Sequence, residues 1–277
     1  MAFPLLFLLF LSIPFSQANL SFDYYNKTCP DLDRIIREAF RPCTGDAFDL
    51  IVRVKTALEL ACPGIVSCSD ILAQATRDLI TMVGGPYYKV LLGRKDGLVS
   101  KAERVEGNIP RPTMSMNQII KMFMSKGFTA QEMVALTGSH TIGFTHCKEF
   151  ADRIFHYNKT LPTDPEMYPK FAEALKKTCA NYTEEHSMSA FNDVMTPGKF
   201  DNMYFQNLQR GLGLLASDHA LVKDRRTKPI VDLYASNQTA FFEEFSQAME
   251  KLSVYAVKTG RKGEVRRKCD AFNTLKT

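Results

Sequence analysis

Late in an expected amphipathic helix the chain reads Gly138-Ser139-His140-Thr141-Ile142-Gly143, one imidazole beside a hydroxyl between two glycines. Such an imidazole is a metal ligand, a proton-transfer group, or a packed or capping side chain at a helix end. Nucleophilic hydrolysis is the weakest fit. Ser139 and His140 are adjacent and lack the G-x-S-x-G turn that presents a hydrolase serine. A second constellation follows the pattern Asp-x-x-Thr-Pro-x-x-x-Asp-Asn, with Asp193, Thr196, Asp201 and Asn202. Carboxylates, hydroxyls and backbone carbonyls are the hard oxygen donors that Ca²⁺ prefers, although the same residues also make an ordinary polar turn around Pro197-Gly198. Asp218, in Leu214-Leu215-Ala216-Ser217-Asp218, reads by itself as a helix N-cap. Pro110 and Pro112 rule out helix in Asn108-Ile109-Pro110-Arg111-Pro112 and predict an ordered loop.

The segments that must position these groups are mostly helical. Apolar residues recur at helical spacing over 31–40, 46–61 and 69–83, the last stopped by Gly84-Gly85-Pro86. Residues 87–92 read as short and extended. Further helices are expected over 116–126, 129–136, 148–155, 169–179, 202–211, 228–235 and 238–259. There is no internal repeat, low-complexity tract or long linker. Met and Phe residues at helical spacing are core residues.

Residues 1–18 read as a secretory signal: Met1 to Phe15 is almost wholly apolar, and Ser16-Gln17-Ala18 supplies small residues for cleavage. The apolar run is too short for a membrane span, which needs about 20 residues. Residues 19–277 then form one large unit. N-x-S/T sequons at Asn19, Asn26, Asn158, Asn181 and Asn237 predict a glycosylated, extracellular surface. The net charge of +5 suits acidic wall polysaccharide. No basic run is interleaved with stacking aromatics, so nucleic acid is not a partner. Seven cysteines are an odd number for an oxidising compartment and show no zinc spacing.

Pro63-Gly64-Ile65-Val66-Ser67-Cys68-Ser69-Asp70-Ile71-Leu72, the His140 segment with Cys147, the Asp193–Asn202 pattern and Ser217-Asp218 together resemble the secreted plant haem peroxidases, class III. The resemblance runs from about Leu20 to Asn273. It implies a mostly α, two-lobed helical fold holding haem b. It makes His140 the iron ligand and Asp218 the carboxylate that holds the other ring nitrogen. It implies a proximal Ca²⁺ site from Thr141, Asp193, Thr196, Lys199 through its carbonyl, and Asp201. Pro110 and Phe150 match positions near the haem edge where aromatic donors approach. The implied disulfides are Cys29–Cys62, Cys68–Cys269 and Cys147–Cys179, leaving Cys43 without a partner. The implied activity is oxidation of small phenolic or aromatic donors by hydrogen peroxide, in a secreted monomer.

One part of the resemblance fails. The family's distal motif, close to Arg-x-Phe-Phe-His-Asp-Cys and then Gly-Cys-Asp-Ala-Ser, supplies the acid–base histidine, the charge-stabilising arginine and a distal Ca²⁺ site. Here all five histidines, His140, His146, His156, His186 and His219, lie in the second half. Only 32 residues separate Cys29 from Cys62. Arg37, Phe40 and Cys43 mimic the motif's spacing, but Arg41 and Pro42 stand where His and Asp belong. The expectation is a distal segment deleted near 41–46, a lost distal calcium and impaired peroxide activation. The alternative is a non-catalytic, haem- and calcium-binding secreted glycoprotein.

Overall fold

Ser67, Ser115, Thr129 and Asn237 each accept a hydrogen bond from the backbone N–H three residues on, and a helix starts after each. At Ser115 and Thr129 the partners Gln118 and Glu132 reach back to the cap's own N–H, so two otherwise orphaned donors are satisfied at once. The computed structural model describes residues 20–40 and 47–273. The expected signal segment, Asn19, and residues 41–46 with Cys43, where a deletion is expected, lie outside them.

In chain order the helices are α1 (Leu32–Phe40), α2 (Ala47–Ala61), α3 (Cys68–Met82), α4 (Met116–Ser125) and α5 (Ala130–Thr137). After strand β1 (Phe144–His146) come α6 (Ala151–Phe155) and α7 (Pro169–Thr178). After β2 (Ser189–Phe191) come α8 (Met203–Gln209), α9 (Ala216–Lys223), α10 (Lys228–Ser236) and α11 (Gln238–Ser253). The two strands pair antiparallel, with Phe144 opposite Phe191. The fold is mostly α, as the sequence predicts.

Four local expectations need correction. Asp218 is not an N-cap: Leu215 holds that position, and Asp218 is the third residue of α9, a helix the apolar pattern does not announce. The helix expected over 148–155 is a single 3₁₀ turn followed by α6. α11 ends at Ser253 rather than 259. Ala256 there takes a φ of 51°, which turns the chain so that Lys258 can bridge to Lys95. His140 sits in a 3₁₀ turn beyond α5, not inside the helix.

Two principal apolar cores result. The larger joins α1–α5 to α8–α11. The smaller gathers α6, α7, Phe150, Leu214 and Leu215 around the Cys147–Cys179 bond. Disulfides also tie Cys29 to Cys62 and Cys68 to Cys269. Asp96 reinforces the latter link, accepting from the N–H groups of Cys68, Ser69 and Arg266.

The larger core fixes the path of the His140 segment. Phe241, wholly buried, stacks on Phe200 with centroids 5.7 Å apart and meets Phe205 edge-on at 4.9 Å. Gly138 lies directly against this cluster. A Cβ there would fall 2.5 Å from the Phe241 ring and 2.8 Å from that of Phe205. Gly138→Ala is therefore expected to cost about 1–3 kcal/mol by overpacking. Urea denaturation checks this, and an unchanged midpoint would show that the rings yield freely.

Candidate functional site

α4, the 109–112 loop, the end of α5 and the start of α9 enclose a cleft of about 260 Å³. Its walls are chiefly apolar, including Ile109, Pro110, Pro112, Met116, Phe123 and Leu136, and its ionisable groups are His140 and Asp218. Asp218 is 1% exposed, whereas the His140 side chain keeps 37% of its surface, facing this cleft.

Nδ1 of His140 lies 3.1 Å from each Asp218 carboxylate oxygen. A carboxylate only accepts, so Nδ1 carries the proton and Nε2 is left with a free lone pair. That is the arrangement a metal-bound imidazole requires, with its second nitrogen held by a carboxylate. Tyr204, fully buried, meets the imidazole edge-on at 6.1 Å. Burial, and then the Asp218 charge, raise the Tyr204 pKa, so its phenol stays neutral.

Burial of the His140 ring acts to lower its pKa, but the Asp218 charge and hydrogen bond outweigh it, and the net shift is upward. A folded-state pKa above the unfolded value, roughly 6.5, stabilises the fold fully at pH below that value. The contribution is lost as pH rises through the folded pKa. An NMR titration of the metal-free chain is expected to place the His140 midpoint above the ordinary value. Asp218→Asn should bring it down, and a midpoint indifferent to that change would contradict the coupling.

The second constellation is assembled as well. Thr141, Asp193 and Asp201 are all buried. The Thr196 hydroxyl lies 3.2 Å from Asp193 Oδ2 and 3.1 Å from Asp201 Oδ1. The Thr141 hydroxyl lies 3.5 Å from Asp193 Oδ2 and 3.3 Å from the Lys199 carbonyl. A hydroxyl has one proton, so each can satisfy only one of its two oxygen neighbours. Backbone N–H groups of Met195, Thr196 and Met203 also donate to Asp193 and Asp201, yet among the described residues the only cationic partner of these two buried carboxylates is the largely exposed Lys199 ammonium, 3.2 Å from Asp201. A hard cation fits such a donor set. No group of three or more His, Cys, Asp and Glu able to hold a metal occurs among the described residues, so the fit rests on hydroxyls and a carbonyl beside two carboxylates. Thr141 follows His140 directly, so this cluster anchors the segment that carries the imidazole.

Pro110 lies on the cleft wall. Phe150 does not. It is 1% exposed inside the smaller core beside Cys147. The sequons at Asn26, Asn158, Asn181 and Asn237 are all exposed. Sequence reasoning missed Tyr204 and Asn207. The amide of Asn207 donates to Asp193 Oδ1 at 2.7 Å. Both residues sit at ordinary core positions of α8, and no local pattern marks them.

Comparison with known proteins gives one answer. The peroxidase family model matches residues 42–237. The chain is 51% identical to Peroxidase 65 of Arabidopsis thaliana, over 99% of this chain and 96% of that protein. It is 52% identical to Peroxidase 6 of the same organism, over 98% of each. The first alignment runs over 324 positions, although this chain has 277 residues, so at least 47 of them face no residue here.

Proposed function

This chain belongs to the peroxidase family, the hydrogen-peroxide-dependent oxidoreductases, and we propose that it binds haem b in the cleft through His140 while lacking the distal groups that activate peroxide. The observation that carries this reading is the His140–Asp218 pair on an apolar wall, with Nε2 left free to bind iron. When bound, haem supplies the redox-active iron at which peroxide is reduced and small aromatic donors are oxidised.

The protein's own residues do the rest. Asp218 keeps the Nδ1 proton and raises the basicity of Nε2. Apolar residues of α4 and the 109–112 loop exclude water from the cleft, and Pro110 borders the side from which a phenolic donor approaches. Thr141, Asp193, Thr196, Asp201 and the Lys199 carbonyl hold Ca²⁺ and with it the segment behind His140. The distal calcium site is lost with its segment.

The absence of any histidine before position 140 and the relatives' additional positions support a missing distal segment near 41–46. The sequence over 1–18 and the exposed sequons support a secreted glycoprotein. The net charge of +5 supports contact with acidic wall polysaccharide. No helix among the described residues is long and apolar enough to cross a membrane.

Haem titration in the presence of calcium tests the proposal. The wild-type chain should develop a Soret band, and Asp218→Ala should weaken uptake about 10–100-fold, as removal of an orienting partner does at metal sites. Equal uptake by His140→Ala would overturn the assignment. A second reading, a non-catalytic haem- and calcium-binding remnant, draws on the same missing histidine. Haem uptake without turnover would favour it.

A further inference from the structure

Arg153 of α6 is distant in sequence from Asp218, yet it reaches the base of the His140–Asp218 pairing. It is 4% exposed. Its Nε and Nη2 donate to Asp164 Oδ2 at 3.0 and 2.8 Å. Its Nη1 points the other way, at the carbonyls of Gly213 (2.6 Å), Leu214 (2.9 Å) and Leu215 (3.3 Å). These three residues lead directly into α9. Leu215 is the N-cap and offers no side-chain cap, and Asp218 lies three residues on, in the first turn.

Asp164 is itself fixed, donating its N–H to the Arg153 carbonyl at 2.8 Å and accepting from Glu166 N–H at 3.0 Å. Tyr168 N–H closes the same strap onto the Gly211 carbonyl at 2.9 Å. The start of α9 is therefore gripped by one planar, rigid fork whose other side is bound to a buried carboxylate.

We propose that Arg153 is a positioning residue for the iron ligand. By holding the carbonyls of Gly213–Leu215 it sets where the first turn of α9 places Asp218, and through Asp218 it sets the tautomer and orientation of the His140 ring. The inference rests on the reading of His140 as iron ligand and Asp218 as its orienting carboxylate. Lysine lacks the fork and cannot serve Asp164 and the carbonyls together.

The test uses the full-length chain with ¹⁵N-labelled histidine, at a pH where the ring is neutral. Wild type should show the Nδ1–H tautomer of His140, and Asp218→Asn should lose it. Arg153→Lys should show a mixture of the two tautomers. So should the double variant Arg153→Met/Asp164→Asn, which leaves no buried charge unpaired. In the haem-loaded, reduced proteins the iron–histidine stretching band should move to lower frequency, in the direction of Asp218→Asn. Arg94→Lys is the control for general destabilisation, because the Arg94 side chain bonds Asp70, Leu91 and Ser253 and nothing in α9. Wild-type tautomer and band in both Arg153 variants, with melting no different from Arg94→Lys, would overturn the proposal. Failure of every protein to take up haem would instead overturn the haem reading, and the tautomer measurement would still decide the role of Arg153.

Discussion

Hydrogen peroxide added to the haem- and calcium-loaded chain is expected to shift its Soret band about 10²–10⁴-fold more slowly than it does in Peroxidase 65, the usual worth of a positioned acid–base group. A base must stand about 2.6–3.2 Å from the proton it takes. Of the five histidines, His140 is paired with Asp218, and His219 is held by Glu166 at 2.8 Å. His146, His156 and His186 are exposed and do not line the cleft. The stretch at 41–46 contains no histidine at all. On the proposed reading the family's distal arginine is absent too, which removes a further electrostatic contribution. Stopped-flow absorbance measures the rate directly. Grafting the relative's additional segment into the interrupted stretch between Cys29 and Cys62 should recover most of the loss. A wild-type rate equal to that of Peroxidase 65 would mean that another group has taken over the histidine's work, and the proposal of impaired activation would fail.

How far the sequence discloses this arrangement depends on what each segment buries. α2, α3, α4 and α11 bury apolar residues at regular spacing, so periodicity finds them to within a few residues at most ends. α9 escapes because two of its three buried residues are Asp218 and His219, which reverse the usual sign of the pattern. The β1–β2 pair escapes because each strand is three residues long and its partner lies some 45 residues away. The site divides in the same way. His140, Asp218 and the Asp193–Asp201 cluster stand in short, distinctive motifs, and the fold brings each set together. Phe150 is less legible, because its place near Cys147 points equally to the cleft and to the core, and it packs in the core with the Cys147–Cys179 bond. Arg153 is invisible beforehand, since its partners are backbone carbonyls about sixty residues on.

Breaking the Asp70–Arg94 pair is expected to give the largest loss of stability, about 3–5 kcal/mol for Asp70→Ala or Arg94→Met. Asp70 is 1% exposed and accepts from the Tyr25 hydroxyl at 2.7 Å, Gly93 N–H at 2.7 Å, Arg94 N–H at 3.1 Å and Arg94 Nη1 at 2.9 Å. Arg94 also donates through Nε and Nη2 to the Ser253 carbonyl, at 2.8 and 2.6 Å, and through Nη1 to the Leu91 carbonyl. One ion pair thus joins the N-terminal segment, α3, the turn at 93–94 and the end of α11. Burial, and then the Asp70 charge, raise the Tyr25 pKa, so its hydroxyl remains a donor throughout the range where the protein is folded. Removing either partner strands a buried charge, and the cost is a large share of the roughly 5–15 kcal/mol that holds a typical domain together. Removing both, as in Asp70→Leu/Arg94→Met, should return much of it, because a packed apolar pair carries no desolvation cost. Urea midpoints at constant slope measure all three variants. If the double variant were as unstable as the singles, the stability would lie in the bonds to Tyr25, Gly93 and Ser253 rather than in the relief of unpaired charge.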